Sequence, residues 1–428
     1  MTRILIALTG ILITASAFAQ APQTYDLQAV IARTLEANPD IKASEQAVAT
    51  AKTRIDEARS QGRPQVTGQA GYSQLDQNPS FAVPGLGTMV FGKTDNPYAN
   101  VSMLWPLYTG GMVENMIKAS RFGVDAAWQG YARQRQERAA EAAVAYYQAL
   151  SAGRMVDVMK AQIATLEEAV RVATALQQQG IVAKVDVLRP TADLEATRAQ
   201  LVQVENGQRL ALTNLKRIMN LPMETEIALQ PSEPGLAVPE AAAATTTALA
   251  ARPEMHQLQA AQNALKAQAA AARGERRPRV GLQAQYDFER PTTYPNIGDW
   301  SIGIGISQTF SDGGRAKAHE QNALSQFKEL QAREEALKQG IAMQVTNGLL
   351  SVRAAEERVT ATTAALATAQ EAYRMAEASY KNQVGTITDV LAAQTALTNA
   401  RAQQALAEFD RQSALIQLHL ALGDFPSS

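Results

Sequence analysis

Two hydrophobic periodicities take turns along this chain, and each appears in both halves. Val280, Leu282, Ala284, Tyr286 and Phe288 interleave with Arg279, Gly281, Gln283, Gln285 and Asp287. Trp300, Ile302, Ile304 and Ile306 then interleave with Ser301, Gly303, Gly305 and Ser307. Period two marks strands with one apolar and one polar face. A weaker copy lies earlier, with Val66, Gly68, Ala70 and Tyr72 on one strand and Val101, Met103, Trp105 and Leu107 on its partner. Each run lasts roughly nine to eleven residues, the length of a tilted membrane strand. Beyond each pair the period lengthens. From about Met112 to Gln179, and again from Arg315 to Asn382, there is no proline, and Met159, Ile163, Leu166, Val170 and Ala173 form a heptad seam. Leu324, Phe327, Leu330, Leu337, Ile341, Val345, Leu349 and Val352 continue that theme in the second half. At 1.5 Å per residue each segment would reach roughly 100 Å if continuous. Gly123, Gly130, Gly153, Gly340 and Gly348 are the places where it would break. Antiparallel helices are expected to return over Val187–Ile218 and Val390–Leu422.

The recurrence is a duplication. Asn38-Pro39-Asp40-Ile41 returns as Arg252-Pro253-Glu254-Met255, and Gln69-Ala70-Gly71-Tyr72 as Gln283-Ala284-Gln285-Tyr286, at an offset of 214. Further on, Leu107 to Gly111 pairs with Phe310 to Gly314, and Asp186-Val187-Leu188 with Asp389-Val390-Leu391, at an offset of 203. The period is too long for a solenoid. The change of offset falls between Tyr72 and Gly110, so the first hairpin loop is the longer. The expected organisation is a signal segment at 1–19 and a first repeat at 20–220 with a β-hairpin at 64–108 and a helical hairpin at 112–220. A connector follows at 221–251. The second repeat is expected at 252–428, with a β-hairpin at 278–310 and a helical hairpin at 315–422. The connector carries Pro222, Pro231, Pro234, Pro239 and an Ala/Thr tract.

Composition narrows the setting. Arg3, the apolar run Ile4 to Ile13 and Ala17-Phe18-Ala19 have the order of an export signal, and the run is too short to span a bilayer. There is no cysteine, hence neither disulfide nor lipidated thiol. Forty Lys and Arg against 41 Asp and Glu leave a net charge of -1, which argues against nucleic acid. Export, aromatic residues near strand ends and uncharged polar faces favour a lipid-facing barrel over hairpins packed on a soluble core. Four strands cannot close a barrel, because the smallest have about eight. Several copies must therefore join.

These features identify the chain as resembling the TolC family of outer-membrane efflux channels. The resemblance rests on the Gly-Gly after each strand pair and on two turn motifs, Gly180 to Leu188 and Tyr380 through Gly385 to Leu391. It implies a mainly α fold with a β-barrel part: a homotrimer whose twelve-stranded barrel sits in outer-membrane lipid and continues into a coiled-coil tunnel across the periplasm. The implied partners are a periplasmic adaptor and an inner-membrane pump of the RND or ABC type. The implied function is the exit duct of an efflux or type I secretion system. The alternative is a non-conducting periplasmic coiled-coil scaffold.

Candidate site residues follow from the same comparison. Asp389 falls on a pore-lining acidic position, and Asp186 and Tyr380 on a network that holds the tip closed. Gly385 stands where the family pattern has a basic residue and Ala392 where it has a second acid, leaving Lys184, Arg189 and Lys381 as replacement cations. Independently of any family, Asp186 and Asp389 suit the first turns of their helices. Gly180 and Gly385 mark the turns, and their unequal spacing to the aspartates is a candidate gate. Gly110, Gly111, Gly313 and Gly314 are read as the swivel from barrel to helix. No enzyme motif emerges: His256, His319 and His419 are isolated, Gly303-x-Gly305 lies within a strand, and no metal or cofactor is expected. Ser311 to Arg315 could bind an anion at a helix start, but Thr109-Gly110-Gly111 at the matching place favours the swivel.

Overall fold

The structure is a computed structural model and describes residues 23–78, 80–90, 94–289 and 297–426. The expected signal segment, 1–19, lies outside the described residues. In chain order the first repeat supplies β1 (Gln23–Tyr25), α1 (Leu27–Ala37), α2 (Pro39–Ser60), β2 (Gln65–Gln74), β3 (Ser80–Val83), β4 (Gly87–Val90), β5 (Asp95–Tyr108), α3 (Met112–Gln178) and α4 (Lys184–Ile218). The connector carries β6 (Ile227–Leu229) and α5 (Ala241–Ala251). The second repeat adds α6 (Pro253–Gly274), β7 (Arg279–Glu289), β8 (Ile297–Ser307), α7 (Arg315–Lys381) and α8 (Ile387–Leu422).

The duplicated prolines have a local cause. Pro39 and Pro253 open α2 and α6, where a missing N–H costs least. Asn38 Oδ1 accepts the Asp40 backbone N–H at 2.9 Å, whereas its counterpart Arg252 gives no side-chain cap. Both proline-free segments are single helices of 67 residues. Neither helix breaks at its glycines, and at Gly348 packing supplies the reason for one: a Cβ there would lie 3.0 Å from Leu418 Cδ1 and 3.3 Å from its Cα. That close approach of α7 and α8 offsets the roughly 1 kcal/mol that a mid-helix glycine costs.

The chain divides into two compact units, and each draws on both repeats. One holds Glu141–Gly235, Ala355–Ser413 and the described residues up to Glu36. In it Met159, Leu166 and Ala173 of the heptad seam are buried, together with Leu27, Val30, Tyr146, Leu215 and Ile218. Strand β6 of the connector pairs in parallel with β1, Gln23 facing Ile227. Tyr146 and Tyr147 of α3 donate their hydroxyls to the connector carbonyls of Gln230 and Ser232, the second at 2.7 Å.

The other unit holds Ala37–Ala140, Leu236–Ala354 and the chain from Ala414. Its core joins Ala244 and Ala248 of α5 to Ile341, Val345 and Val352 of α7 and Leu418 and Leu422 of α8. The Ala/Thr tract is thus a helix contributing to the core, consistent with the high helix propensity of alanine. Leu324, expected in the seam, is exposed in the chain, and its neighbour Ala323 is buried instead.

Four strands form one antiparallel sheet in the order β2-β5-β7-β8. Its faces match the alternation: Val66 is opposite Met103, Val101 opposite Tyr286, and Tyr286 opposite Trp300. These apolar rows are open, with Val66 67%, Trp300 75%, Ile304 70% and Ile306 75% exposed. One position differs from expectation. A bulge between Pro106 and Tyr108 makes Leu107 the extra residue and sets Tyr108, not Leu107, opposite Val280. The longer first loop holds its own hairpin, β3 with β4.

Candidate functional site

The two helical turns are copies of one another. After α3, Gly180 takes φ 75°, its N–H bonds to the Gln177 carbonyl at 2.9 Å, and the Ile181 N–H reaches back to Leu176 at 3.0 Å. After α7 the same work falls to Gln383 at φ 62°, with Gln383 N–H on the Tyr380 carbonyl and Val384 N–H on Ser379. This is the left-handed helix stop that usually selects glycine. Offset 203 carries Gly180 to Gln383 and Asp186 to Asp389, so the two turns have equal length. The unequal spacing measured from Gly385 has no counterpart in the backbone. Gly385 serves another need, since a Cβ there would lie 3.0 Å from the Ser379 Cβ.

The returning helices start one turn earlier than expected, at Lys184 and Ile387. Asp186 and Asp389 therefore sit in the third helical position and reach back to the cap residue. Asp186 Oδ2 accepts the Ala183 N–H at 3.2 Å. Asp389 Oδ2 accepts the Thr386 N–H at 3.1 Å and its hydroxyl at 2.6 Å, while Thr386 Oγ1 accepts the Asp389 N–H at 3.2 Å. The second turn is thus a complete reciprocal capping box and the first only half of one. The Thr386 hydroxyl and backbone bonds hold the Asp389 carboxyl below the ordinary carboxylate range.

Beneath the turns Tyr380 is buried with Ile387 and Val390, packed against Val172, Leu176 and Tyr373. Among the described residues its hydroxyl has no hydrogen-bond partner, and burial, followed by the Asp186 carboxylate, pushes its pKa up. Arg189 Nη1 donates to Thr388 Oγ1 at 2.8 Å, tying α4 to α8. Lys381 pairs with Glu377 at 2.9 Å on its own helix. Lys184 is exposed and forms no ion pair among the described residues. The sequence offered Arg189 as one of three cations, but only the fold shows which of them crosses between helices.

At the far end of each long helix, Gly110 and Gly111 have φ of 70° and 86°, and Gly313 and Gly314 of 67° and 89°. Consecutive left-handed glycines turn the chain sharply between strand and helix. Thr109 Oγ1 accepts the Val113 N–H at 3.2 Å. Its counterpart Asp312 accepts those of Gly314 and Ala316, both at 2.9 Å. The carboxylate already occupies the helix start where an anion would bind, and these bonds lower its pKa.

Each of the three histidines has a polar partner within the protein. His256 contacts the Ala250 carbonyl at 2.9 Å, His319 contacts Glu275 at 3.3 Å, and His419 lies between Asp424 at 2.9 Å and the Ala237 carbonyl at 3.0 Å. Among the described residues no His, Cys, Asp or Glu group of three or more could hold a metal ion, and no helix is long and apolar enough to cross a membrane.

A family model described as outer membrane efflux protein matches residues 30–221 and 245–424, covering both repeats. The chain is 23% identical over 400 residues to the outer membrane efflux protein BepC of Brucella suis, spanning 91% of this chain and 84% of that one. It is 26% identical over 174 residues to protein CyaE of Bordetella pertussis, a match spanning 41% of this chain but only 35% of CyaE. Among solved structures, the Campylobacter jejuni outer membrane channel CmeC superposes with TM-score 0.78 at 16% identity, covering 94% of this chain and 86% of CmeC. Vibrio cholerae outer membrane protein VceC gives TM-score 0.74 at 17% identity, covering 93% and 96%. At these identities the solved structures establish a shared fold.

Proposed function

The chain belongs to the outer membrane efflux protein family, and from that premise we propose that it is the passive exit duct of a tripartite efflux or type I secretion system. Three copies of the four-stranded sheet close a twelve-stranded barrel in outer-membrane lipid, apolar rows outward and polar rows toward the lumen. The helical hairpins α3–α4 and α7–α8 enclose a tunnel that meets a periplasmic adaptor and, through it, an inner-membrane pump of the RND or ABC type. The observation that supports this reading best is the open sheet: exposed apolar rows on one face, and edges β2 and β8 that pair with nothing else among the described residues. An exposed long edge is a site for another strand.

In this reading Asp389 contributes one carboxylate per copy to a ring at the tunnel tip, and such rings favour cations. Asp186 and Tyr380 brace the tip, and Lys184 supplies the cation that holds neighbouring tips together. The duct has no catalytic step, so energy and cargo choice belong to the pump. Membrane fractionation tests the proposal first. Heat-modifiable trimers in the outer-membrane fraction support a duct, and a soluble monomer or dimer supports a periplasmic scaffold. In planar bilayers, Asp389→Ala is expected to weaken cation preference, and Lys184→Ala to raise resting conductance. Unchanged selectivity removes Asp389 from the pore, and a tightly closed Lys184 variant removes it from the latch.

A further inference from the structure

Where the connector meets α3 and α8, a cavity of about 410 Å³ lies wholly within the unit that holds Glu141–Gly235 and Ala355–Ser413. On α3, Tyr147, Leu150 and Arg154 line it, at the i, i+3 and i+7 positions of one helix face. On α8, Glu408, Phe409 and Gln412 line it together with Arg411. The connector contributes Pro231 and Glu233, and α7 contributes Val359.

Its polar groups are unevenly satisfied. Tyr147 already donates its hydroxyl to the Ser232 carbonyl at 2.7 Å, and Arg154 pairs with Glu408 at 3.6 Å. Asp410, beside Arg411 in sequence, is taken by Arg358 of α7 at 2.6 Å. Three groups are left over. Gln412 is only 8% exposed, and its Oε1 has no hydrogen-bond partner among the described residues. Arg411 Nε is likewise buried without a partner among them. Glu233, on the exposed connector, is the third: neither it nor Arg411 forms an ion pair among the described residues. Both charges nevertheless reach the same hydroxyl. Burial, then Tyr146 and Glu233, push the pKa of Tyr147 up, and Arg411 pulls it down. A buried donor or acceptor left unpaired costs stability until a partner arrives.

Leu150, Pro231, Val359 and Phe409 give the cavity apolar walls. Apolar walls with a few convergent polar groups, at this size, are the profile of a small-molecule site. Charge then selects the ligand. A simple anion on Arg411 would face Glu233, and a simple cation on Glu233 would face Arg411. A zwitterion satisfies both, and Gln412 Oε1 asks in addition for an N–H close to the anionic end. A dipeptide has that order of groups: its peptide N–H belongs to the residue that carries the carboxylate, and its ammonium lies one residue away. We propose that the cavity binds an apolar dipeptide in its zwitterionic form, carboxylate on Arg411, peptide N–H on Gln412 Oε1 and ammonium on Glu233. Its side chains lie against Phe409 and Val359. Because Glu233 belongs to the connector and Arg411 to α8, the bound peptide braces one against the other.

The site stands on one unit of one chain and is independent of the duct reading. Calorimetric titration of the full chain, purified in detergent, with alanyl-phenylalanine tests it. The expected result is saturable binding of one peptide per chain, with the C-terminal amide and the N-acetyl form each at least about tenfold weaker, since each loses a charge-assisted contact. Arg411→Ala is expected to abolish discrimination against the amide, and Glu233→Gln discrimination against the acetyl form. Gln412→Leu weakens every form alike. Glu233 is exposed, so its variant keeps the test decisive even where a change at Arg411 or Gln412 disturbs folding, which circular dichroism reports. An amide that binds as tightly as the free acid overturns the role of Arg411. An acetylated peptide that binds as tightly makes this an anion site and overturns the zwitterion. Absence of saturable binding to the folded chain overturns the site itself, while bilayer conductance continues to decide the duct.

Discussion

At the scale of single residues the turns are governed by backbone conformation. Gln383 holds a left-handed φ of 62° where its counterpart is Gly180, and a side chain there costs about 1–2 kcal/mol. Gln383→Gly is expected to slow proteolysis at the second turn and raise local hydrogen-exchange protection, with a gain near 1 kcal/mol, while Gly180→Ala does the reverse at the first. Asp389 makes a second prediction, whose sign follows from its lowered pKa. A depressed carboxyl contributes its stabilisation in full above the ordinary carboxylate range, and that contribution is lost as pH falls through the lowered value. The capped start of α8 is therefore expected to persist in mild acid. Thr386→Ala removes the hydroxyl bond, so if Asp389 lines the pore as proposed, acid loss of cation selectivity is expected at higher pH. Bilayer reversal potentials measured across a pH series decide this.

At the scale of elements, the connector is held by hydrogen bonds as well as burial. Tyr146 and Tyr147 are buried side by side, ring centroids 5.1 Å apart and nearly perpendicular, each with its hydroxyl on a connector carbonyl. Replacing either by Phe is expected to cost about 1 kcal/mol, the net worth of one such bond, seen as a lower thermal midpoint. Burial, then the Asp26 carboxylate, pushes Tyr146 up to about 12. A raised tyrosine stabilises fully below its ordinary value of 10.0, and that stabilisation is lost as pH rises through about 12. Alkaline unfolding should therefore show a Tyr146-dependent step in that window, which is absent from Tyr146→Phe.

At the scale of the whole molecule, duplication is what allows four strands and four long helices to come from one chain. The first repeat cannot finish its own sheet, because β5 finds its second neighbour in β7. The second repeat in turn leaves β8 open.

The alternation of strands, the length of the proline-free helices and the family were legible in the residues. Periodicity records which face meets lipid or core, and that is a local property of a strand or a helix. Expectations failed where a neighbour decides. Leu107 became a bulge because β5 must fit β7, and Leu324 of the expected seam is exposed while its neighbour Ala323 is buried. At the tips, hydrogen bonds to Ala183 and Thr386 started the helices a turn early. The sequence by itself determined the repeats, the strand faces and the two Gly-Gly turns, since these follow from spacing and side-chain type. The offset of 203 already pairs Gly180 with Gln383, but only the tertiary structure decided that Gln383 takes the left-handed φ of its glycine counterpart, and that one glycine turn is filled by Arg277 while its twin stays open. A residue's φ and its packing partner are set by contacts distant in sequence, and spacing along the chain carries no record of them.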